Sequence, residues 1–250
     1  GRTKVITNAG GINPTAATRA AVETARGLGL SGITIATVLG DDLTASLDEL
    51  ATKTPLANLE SGAPFSAFTP PVLFASAYLG AKPSVDALAA GADVVITGRV
   101  ADAALFLAPL VHEHGWAWDD WDRLAAGTLV GHLLECSGQS VGGNLSTGWA
   151  SVPRPWDLPY PIAEVEPDGT ATITKPASSG GRVTFDTVRH QLLYEVHDPA
   201  AYLSPDVVAD FTSAQFVDEG SDRVHVSGVK GQAATPTYKA LLCHHAGWSG

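Results

Sequence analysis

One feature of the first hundred residues constrains the fold most. Short apolar runs, glycine-containing loops and Ala- and Leu-rich stretches follow one another in a repeated order. The first unit has an apolar run at 5–7, a loop at 8–12 and a helix that begins with Asn13-Pro14 and continues to about Gly29. Asn is a favoured N-cap, and Pro suits the first helical position. Repetition of strand, loop and helix is typical of βαβ units and predicts a parallel sheet.

Further elements follow from the same hydrophobic periods and turn residues. We expect strands at 32–39, 71–79 and 93–97, and helices at 82–91, 99–110 and 119–135. The segment 54–71 is rich in Pro, Ser and Phe, and its apolar residues follow neither the period of a helix nor that of a strand. It is therefore either a ligand-binding loop or disordered.

The pattern changes near residue 150, where Pro becomes frequent and hairpin signals begin. Apolar runs at 162–165 and 170–174 flank Pro167-Asp168-Gly169, a strong turn sequence. A helix is expected at 184–197, followed by a hairpin of 209–217 with 223–229 across Gly220-Ser221.

These elements predict an α/β fold with a largely parallel sheet and flanking helices in the N-terminal part. Antiparallel hairpins, an α+β arrangement, are expected in the C-terminal part. We place an α/β domain with ligand loops at its strand ends at residues 1–150, and a hairpin-containing α+β subdomain, expected to be incomplete, at 151–250.

The two ends of the chain lack the usual terminal features. It contains no methionine, opens on a charged strand at residues 1–6 and stops at 247–250 without a helix cap. We therefore expect it to be a piece of a longer protein.

Composition excludes several classes of partner. The net charge of −11 and the absence of a Lys/Arg cluster argue against nucleic acid and anionic membranes, which need a basic surface. No apolar run approaches the roughly 18 residues of a membrane helix. Two cysteines are too few for a disulfide framework and fit reduced thiols, so we expect a cytoplasmic location.

The first candidate site lies at the carboxyl ends of the predicted parallel strands, which share one sheet edge. A glycine loop and helix N-terminus favour an anion, Arg99 offers a bidentate fork, and paired carboxylates can exchange protons or hold a metal. The residues are Asn8, Gly10, Gly11, Asp41, Asp42, Arg99 and Asp102. In the alternative, the glycines only form tight turns, Asp42 caps a helix, and Asp102 pairs with Arg99 on one helical face.

The second candidate site follows the long helix at 119–135. An acid, a thiol and amide donors occur together there, as in thioester or carbonyl sites. The residues are Glu135, Cys136, Gln139, Gly142, Gly143 and Asn144. In the alternative, Cys136 is buried and inert.

Two further motifs carry weaker signals. Lys175, ahead of Ser178-Ser179-Gly180-Gly181, suggests an anion-binding turn, with an ordinary surface loop as the alternative. His112-Glu113-His114 resembles a metal motif, but residues two apart do not share a helical face, and nearby tryptophans suggest a packed corner.

Several stretches together resemble the acyclic terpene utilisation (AtuA) family. They are VITNAGG at 5–11, YLGA at 78–81, AAGADVVITGRVADAAL at 89–105, GHLLEC at 131–136, QLLYE at 191–195 and DVVADFT at 206–212. The loop after Cys136, with Ser137 and Asn144-Leu145-Ser146, departs from the family pattern.

The resemblance implies a cytoplasmic protein encoded beside acyl-CoA carboxylases, dehydrogenases and hydratases that degrade citronellol- and geraniol-like branched acids. It also implies a longer parent, of which this chain is an internal fragment of the N-terminal domain. The family's reaction and catalytic residues do not follow from it.

We therefore expect an enzyme that acts on a branched acyl-CoA or related carboxylic substrate by lyase, hydratase or hydrolase chemistry. Asp41 or Glu135 would be the acid or base and Cys136 a nucleophile. The expected binding residues are Asn8, Gly10, Gly11, Asp42, Arg99 (oriented by Asp102), Gln139, Gly142, Gly143, Asn144 and Lys175.

Coenzyme A would enter as the substrate's thioester moiety, and no cofactor or metal is assigned. A homo-oligomer is expected. One alternative is a non-catalytic partner that binds acyl-CoA or acyl-CoA carboxylase subunits. Another is a metal-dependent hydrolase that uses Asp41 and Asp42 with His112 or His114.

Overall fold

A computed structural model of the chain describes residues 3–247. Expectations about residues 1, 2 and 248–250 lie outside the described residues. Contacts group the chain into two compact units: residues 3–79, 92–100 and 237–247 of the described chain form the first, and residues 80–91 and 101–236 the second. The domain boundary expected near residue 150 stays a prediction.

The first unit contains a parallel sheet, as predicted. Helices and strands are numbered in chain order. This unit holds β1 Val5–Thr7, α1 Pro14–Gly27, β2 Ile35–Val38, α2 Leu47–Lys53, β3 Val72–Ala77, β4 Val94–Thr97 and β12 Ala240–His244. The parallel sheet has the order β1-β4-β2. At the start of α1, the side chain of Asn13 accepts a hydrogen bond from Ala16 N at 3.0 Å, which confirms the expected cap.

Strand β3 does not join the parallel sheet. It pairs antiparallel with β12, in a separate two-stranded sheet. Apolar periodicity predicted both strands, but it carries no information about which strand each one pairs with. The preceding segment 54–71 includes a β-bridge between Ala57 and Pro64 and a 3₁₀ helix at Phe65–Ala67, so it has local structure. Its role as a ligand loop stays a prediction.

The second unit combines four helices with two antiparallel sheets. Its elements are α3 Lys82–Ala89, α4 Ala104–His114, α5 Trp121–Glu135, β5 Ile162–Val165, β6 Ala171–Thr174, α6 Phe185–Leu192, β7 Tyr202–Leu203, β8 Val208–Asp210, β9 Gln215–Gly220, β10 Arg223–Ser227 and β11 Lys230–Gln232. The sheets have the orders β5-β6-β10-β9 and β11-β8-β7, both antiparallel. The fold class is therefore mixed α/β, as expected.

Helix α5 forms the centre of the second unit. Nearly every residue from Leu124 to Leu133 is buried, as expected of a helix covered by other elements on all sides. A Cβ on Gly131 would lie 2.6 Å from the carbonyl oxygen of Ala103, so glycine permits the close approach of the neighbouring segment. This packing fixes the position of Glu135, the last residue of the helix.

Three element boundaries differ from the expectation. The helix expected from residue 99 begins at Ala104, because the chain is still extended at Val100, which bridges to Leu79. The helix expected to reach residue 197 ends at Leu192, and Glu195 has a left-handed φ of 57° that a helix cannot contain. The strand expected at 209–217 is divided between β8 and β9, which belong to different sheets.

Within residues 3–247, no helix has both the length and the apolar composition needed to cross a membrane.

Candidate functional site

The loops that follow β1, β2 and β4 meet at one edge of the parallel sheet, as the strand order requires. Asp41 is buried there, and its Oδ2 accepts a hydrogen bond from Arg99 N at 2.7 Å. A Cβ on Gly98 would lie 2.3 Å from the same oxygen, and one on Gly10 would lie 2.3 Å from Thr97 O. The geometry thus brings Gly10, Asp41 and Arg99 together. The hydrogen bond of Asp41 joins the ends of β2 and β4. The expected acid–base role of Asp41 stays a prediction.

The side chain of Arg99 lies beside an aromatic ring. Its guanidinium carbon is 5.3 Å from the ring centroid of Tyr78, and Lys239 Nζ is 5.5 Å from the same centroid. Neither cation forms an ion pair with a carboxylate among residues 3–247. Two cations at one ring suit an anionic ligand. Sequence reasoning missed Lys239, because β12 is far from Tyr78 along the chain.

The other residues expected at this edge make local turns. The carbonyl of Asn8 accepts from Gly11 N at 3.1 Å, and Gly11 has a left-handed φ of 54°. Asp42 is exposed and accepts from Thr44 N at 2.9 Å, and its hydrogen bonds to Thr44 lower its pKa. The turn at the start of the 3₁₀ helix Thr44–Ser46 accounts for Asp42. Ligand binding by Asn8, Gly10, Gly11 and Asp42 stays a prediction.

Asp102 and Lys175 both belong to the second unit. Asp102 is exposed and precedes α4, so the argument that it shares a helical face with Arg99 does not apply. Its role in orienting Arg99 stays a prediction. Lys175 is buried, with Nζ 3.1 Å from Asp222 Oδ2 and 3.3 Å from Ser179 O. Its ammonium group is thus bound within the protein, and the predicted anion site remains untested.

The segment Glu135–Asn144 turns sharply after α5. A 3₁₀ helix at Ser137–Val141 follows the long helix, and Gly142 has a left-handed φ of 108°. The backbone amides of Gly142 and Gly143 donate to Gln139 O at 3.1 Å and Gly138 O at 2.9 Å. These two amides are therefore engaged within the turn, and their expected action on a substrate carbonyl would require those bonds to open.

Two open cavities flank this segment. One of about 350 Å³ is lined by Ser137, Gly138, Gln139, Gly143, Leu158, Pro159 and Tyr160. The other, of about 380 Å³, is lined by Asn144, Arg189, His190, Leu193 and Tyr194. Three residues expected to bind substrate, Gln139, Gly143 and Asn144, thus lie at cavity walls.

His132 is a residue that sequence reasoning did not select as part of the site. Its side chain is 1 % exposed, with Nδ1 3.1 Å from Glu135 Oε1. Nε2 lies 3.0 Å from Gln191 O and 3.2 Å from Leu192 O, and Gln191 Nε2 donates back to His132 O at 2.8 Å. The available signal was the spacing of three residues between His132 and Glu135 on a helix.

These contacts determine where the protons lie. Carbonyl oxygens only accept, so Nε2 of His132 carries a hydrogen. The contact between Nδ1 and Glu135 Oε1 is then a hydrogen bond only if one further proton lies between them. Burial raises the pKa of Glu135 more than His132 lowers it, and the charges of Asp102 and Glu195 raise it further. The proton of this contact lies on Oε1 of Glu135 or on Nδ1 of His132, and burial of Glu135 favours Oε1.

Cys136 has an environment that opposes the thiolate. Burial raises the pKa of its thiol more than the hydrogen bond with Gln191 lowers it, and the charges of Glu135 and Glu195 act in the same direction as burial. A nucleophilic cysteine needs the opposite shift. This supports the alternative of an inert thiol, although the nucleophile role itself stays a prediction.

Within residues 3–247, no group of three or more His, Cys, Asp or Glu side chains is arranged to hold a metal ion. In the motif His112-Glu113-His114, the ring of His114 stacks on Trp116 with centroids 5.4 Å apart.

The sequence model of the family described as acyclic terpene utilisation family protein AtuA matches residues 1–250. None of the curated proteins and none of the solved structures compared with the chain matches it.

Proposed function

Because the chain belongs to the acyclic terpene utilisation family AtuA, which indicates a role in acyclic terpene utilisation, we propose that it is an enzyme of that catabolism. Its substrate is a branched acyl-CoA or a related carboxylic compound, with coenzyme A as the thioester moiety. The reaction is of the lyase, hydratase or hydrolase type, and it takes place in the cytoplasm.

One observation carries this proposal. Glu135 holds His132 through Oε1, while its Oε2 is buried and has no hydrogen-bond partner among the described residues. One oxygen of this carboxyl group is hydrogen-bonded to a base, and the other has no hydrogen-bond partner among the described residues. Such a group is arranged to exchange a proton with a bound molecule. Lyases, hydratases and hydrolases all need such an exchange at a substrate oxygen or at a carbon beside a carbonyl.

Proton transfer through the pair leaves a positive charge on His132 and the compensating negative charge on the substrate. Oε2 receives a proton from the substrate, while the proton on Oε1 passes to Nδ1 of His132. Glu135 remains a neutral acid, and His132 becomes an imidazolium. The reverse transfer returns the proton to a leaving oxygen, so one pair serves as both base and acid.

In the first unit, the cations Arg99 and Lys239 beside Tyr78 form a separate proposed binding site for a carboxylate or a phosphate. Sequence reasoning assigned this role to Arg99, and the position of Lys239 adds a second charge.

The test is turnover by the full-length protein of a panel of branched acyl-CoAs, with products followed by mass spectrometry. We expect Glu135→Gln to lower kcat by about 100-fold or more, since removal of a general acid–base typically costs 10²–10⁴. Glu113→Gln makes the same chemical change at an exposed position on α4 and should leave turnover unchanged. Equal turnover by the Glu135→Gln variant and the wild type, for every acyl-CoA that reacts, would show that the assignment is wrong.

A further inference from the structure

Three buried carboxyl and amide oxygens in the second unit lack hydrogen-bond donors among the described residues. They are Glu135 Oε2, Gln139 Oε1 and Gln191 Oε1. A buried acceptor left without a donor is destabilising, and native proteins contain few of them. Three in one region indicate that something other than the protein supplies the donors.

The three oxygens share a neighbourhood. The side chain of Gln191 is fully buried, and its amide lies beside the Cys136 thiol as a donor that lowers the pKa of the thiol. Glu135 immediately precedes Cys136 in the chain. Gln139 lines the 350 Å³ cavity and is within hydrogen-bonding reach of the Tyr194 hydroxyl, which lies at the 380 Å³ cavity.

Nearby donors are already engaged within the described part of the chain, and the Tyr194 hydroxyl donates to the carboxylate of Glu195, which raises the pKa of Tyr194. Gln191 Nε2 donates to His132 O, His132 Nε2 donates to the carbonyls of α6, and Ser140 Oγ donates to Leu133 O. The carboxylates of Asp102 and Glu195 add negative charge to the same region. A carboxylate or oxyanion would meet acceptors and like charge there, whereas a hydroxyl group would meet the acceptors it needs.

We propose that the segment Glu135–Asn144, together with Gln191, binds a hydroxyl group carried on the acyl chain of the substrate. This inference rests on the proposed function and narrows it to hydroxylated branched acyl compounds. The hydroxyl donates its one hydrogen to Gln139 Oε1 at the wall of the 350 Å³ cavity, and Glu135 Oε2 and Gln191 Oε1 are the other free acceptors of this region. The anionic part of the substrate is not held by this segment.

The test is a matched pair of ligands that differ only in the hydroxyl. Titration calorimetry on the full-length protein would compare 3-hydroxy-3-methylbutanoyl-CoA with 3-methylbutanoyl-CoA. We expect the hydroxylated compound to bind at least about 10-fold more tightly, because a site built to pair with a hydroxyl rejects the analogue that lacks it. Gln139→Leu should reduce the ratio of the two dissociation constants to about 3-fold or less. Gln215→Leu, at an exposed position on β9, should preserve it.

The wild-type comparison decides the question even if a variant fails to fold. Equal affinities of the two thioesters would mean that water alone fills these acceptors, and the inference would be wrong while acyl-CoA turnover could still stand.

If neither thioester binds, NMR titrations with the neutral amides 3-hydroxy-3-methylbutanamide and 3-methylbutanamide distinguish the hydroxyl site from the acyl-CoA function. A shift of the Gln139 and Gln191 side-chain resonances with the hydroxylated amide alone would support the hydroxyl site and reject the acyl-CoA function. No shift with either amide would overturn both.

Discussion

At the scale of single residues, the chemistry depends on one proton between His132 and Glu135. The contacts of Nε2 with two carbonyl oxygens leave Nδ1 to face the carboxyl group. Because burial raises the pKa of Glu135, the proton stays on the carboxyl oxygen to a higher pH than is usual for a glutamic acid.

We predict that Nε2 of His132 carries a hydrogen in the folded protein, because it faces two carbonyl oxygens. Two-bond ¹H–¹⁵N correlation spectra of protein labelled at histidine nitrogens would report both sites. A His132→Phe variant identifies the resonances by their disappearance among those of the 8 histidines. A shift at Nε2 typical of a nitrogen without hydrogen would contradict the prediction.

Sequence reasoning selected Glu135, Cys136 and Gln139 from residue type and position alone. It did not select His132, because its partner Gln191 lies 59 residues further along the chain. Only the packing of α6 against α5 brings the two together. The same limit applies to Lys239, whose place beside Tyr78 depends on the pairing of β12 with β3.

At the scale of elements, glycine at position 98 permits the contact between the ends of β2 and β4. We predict that Gly98→Ala lowers the free energy of unfolding by about 1–3 kcal/mol, because its Cβ would lie 2.3 Å from Asp41 Oδ2 and the carboxylate would have to move. Urea denaturation of the variant and the wild type measures this difference.

Gly27→Ala provides the matched control. Gly27 is in α1, and a Cβ there would have no atom within 4 Å. It should stabilise the protein by up to about 1 kcal/mol, since alanine is the better helix former. Equal stabilities of the Gly98→Ala variant and the wild type would contradict the close contact.

Most elements could be predicted because their signals are local. Asn13-Pro14 starts α1, the turn at Pro167-Asp168-Gly169 separates β5 from β6, and α5 ends close to Cys136. The pairing of β3 could not be predicted, because an apolar run fits a parallel or an antiparallel neighbour equally well. The early end of α6 depends on the left-handed conformation of Glu195, which is not a glycine and gives no sequence signal.

At the scale of the whole molecule, a buried carboxyl group links stability to pH. Both oxygens of Asp206 lie within 3.0 Å of Ala81 N, at the start of α3. Burial raises its pKa from 3.8 to about 6, against the opposing effect of the hydrogen bond from Ala81. Because the folded pKa exceeds the unfolded one, its contribution to stability is fully present below about pH 3.8 and is lost as pH rises through 6.

We predict that Asp206→Asn removes this dependence. Each unit of difference in pKa corresponds to about 1.4 kcal/mol, so the wild type should lose about 3 kcal/mol relative to the variant between pH 4 and pH 7. Urea denaturation of both proteins across this range measures the difference.

Asp168→Asn is the control, because Asp168 changes the stability with pH in the opposite direction. Hydrogen bonds from Thr170 lower the pKa of Asp168, so its contribution is present at neutral pH and is lost on acidification. A constant stability difference between the wild type and the Asp206→Asn variant across the range would contradict the assignment at Asp206.

The reciprocal hydrogen bonds between His132 and Gln191 have a consequence for how this sequence can change over generations. Replacement of His132 alone leaves the carbonyl of Gln191 without its imidazole donor, and replacement of Gln191 alone removes the amide that binds His132 O. Each single step therefore passes through a less stable protein with a buried polar group unpaired. A substitution at one of these positions is therefore expected to require a compensating substitution at the other.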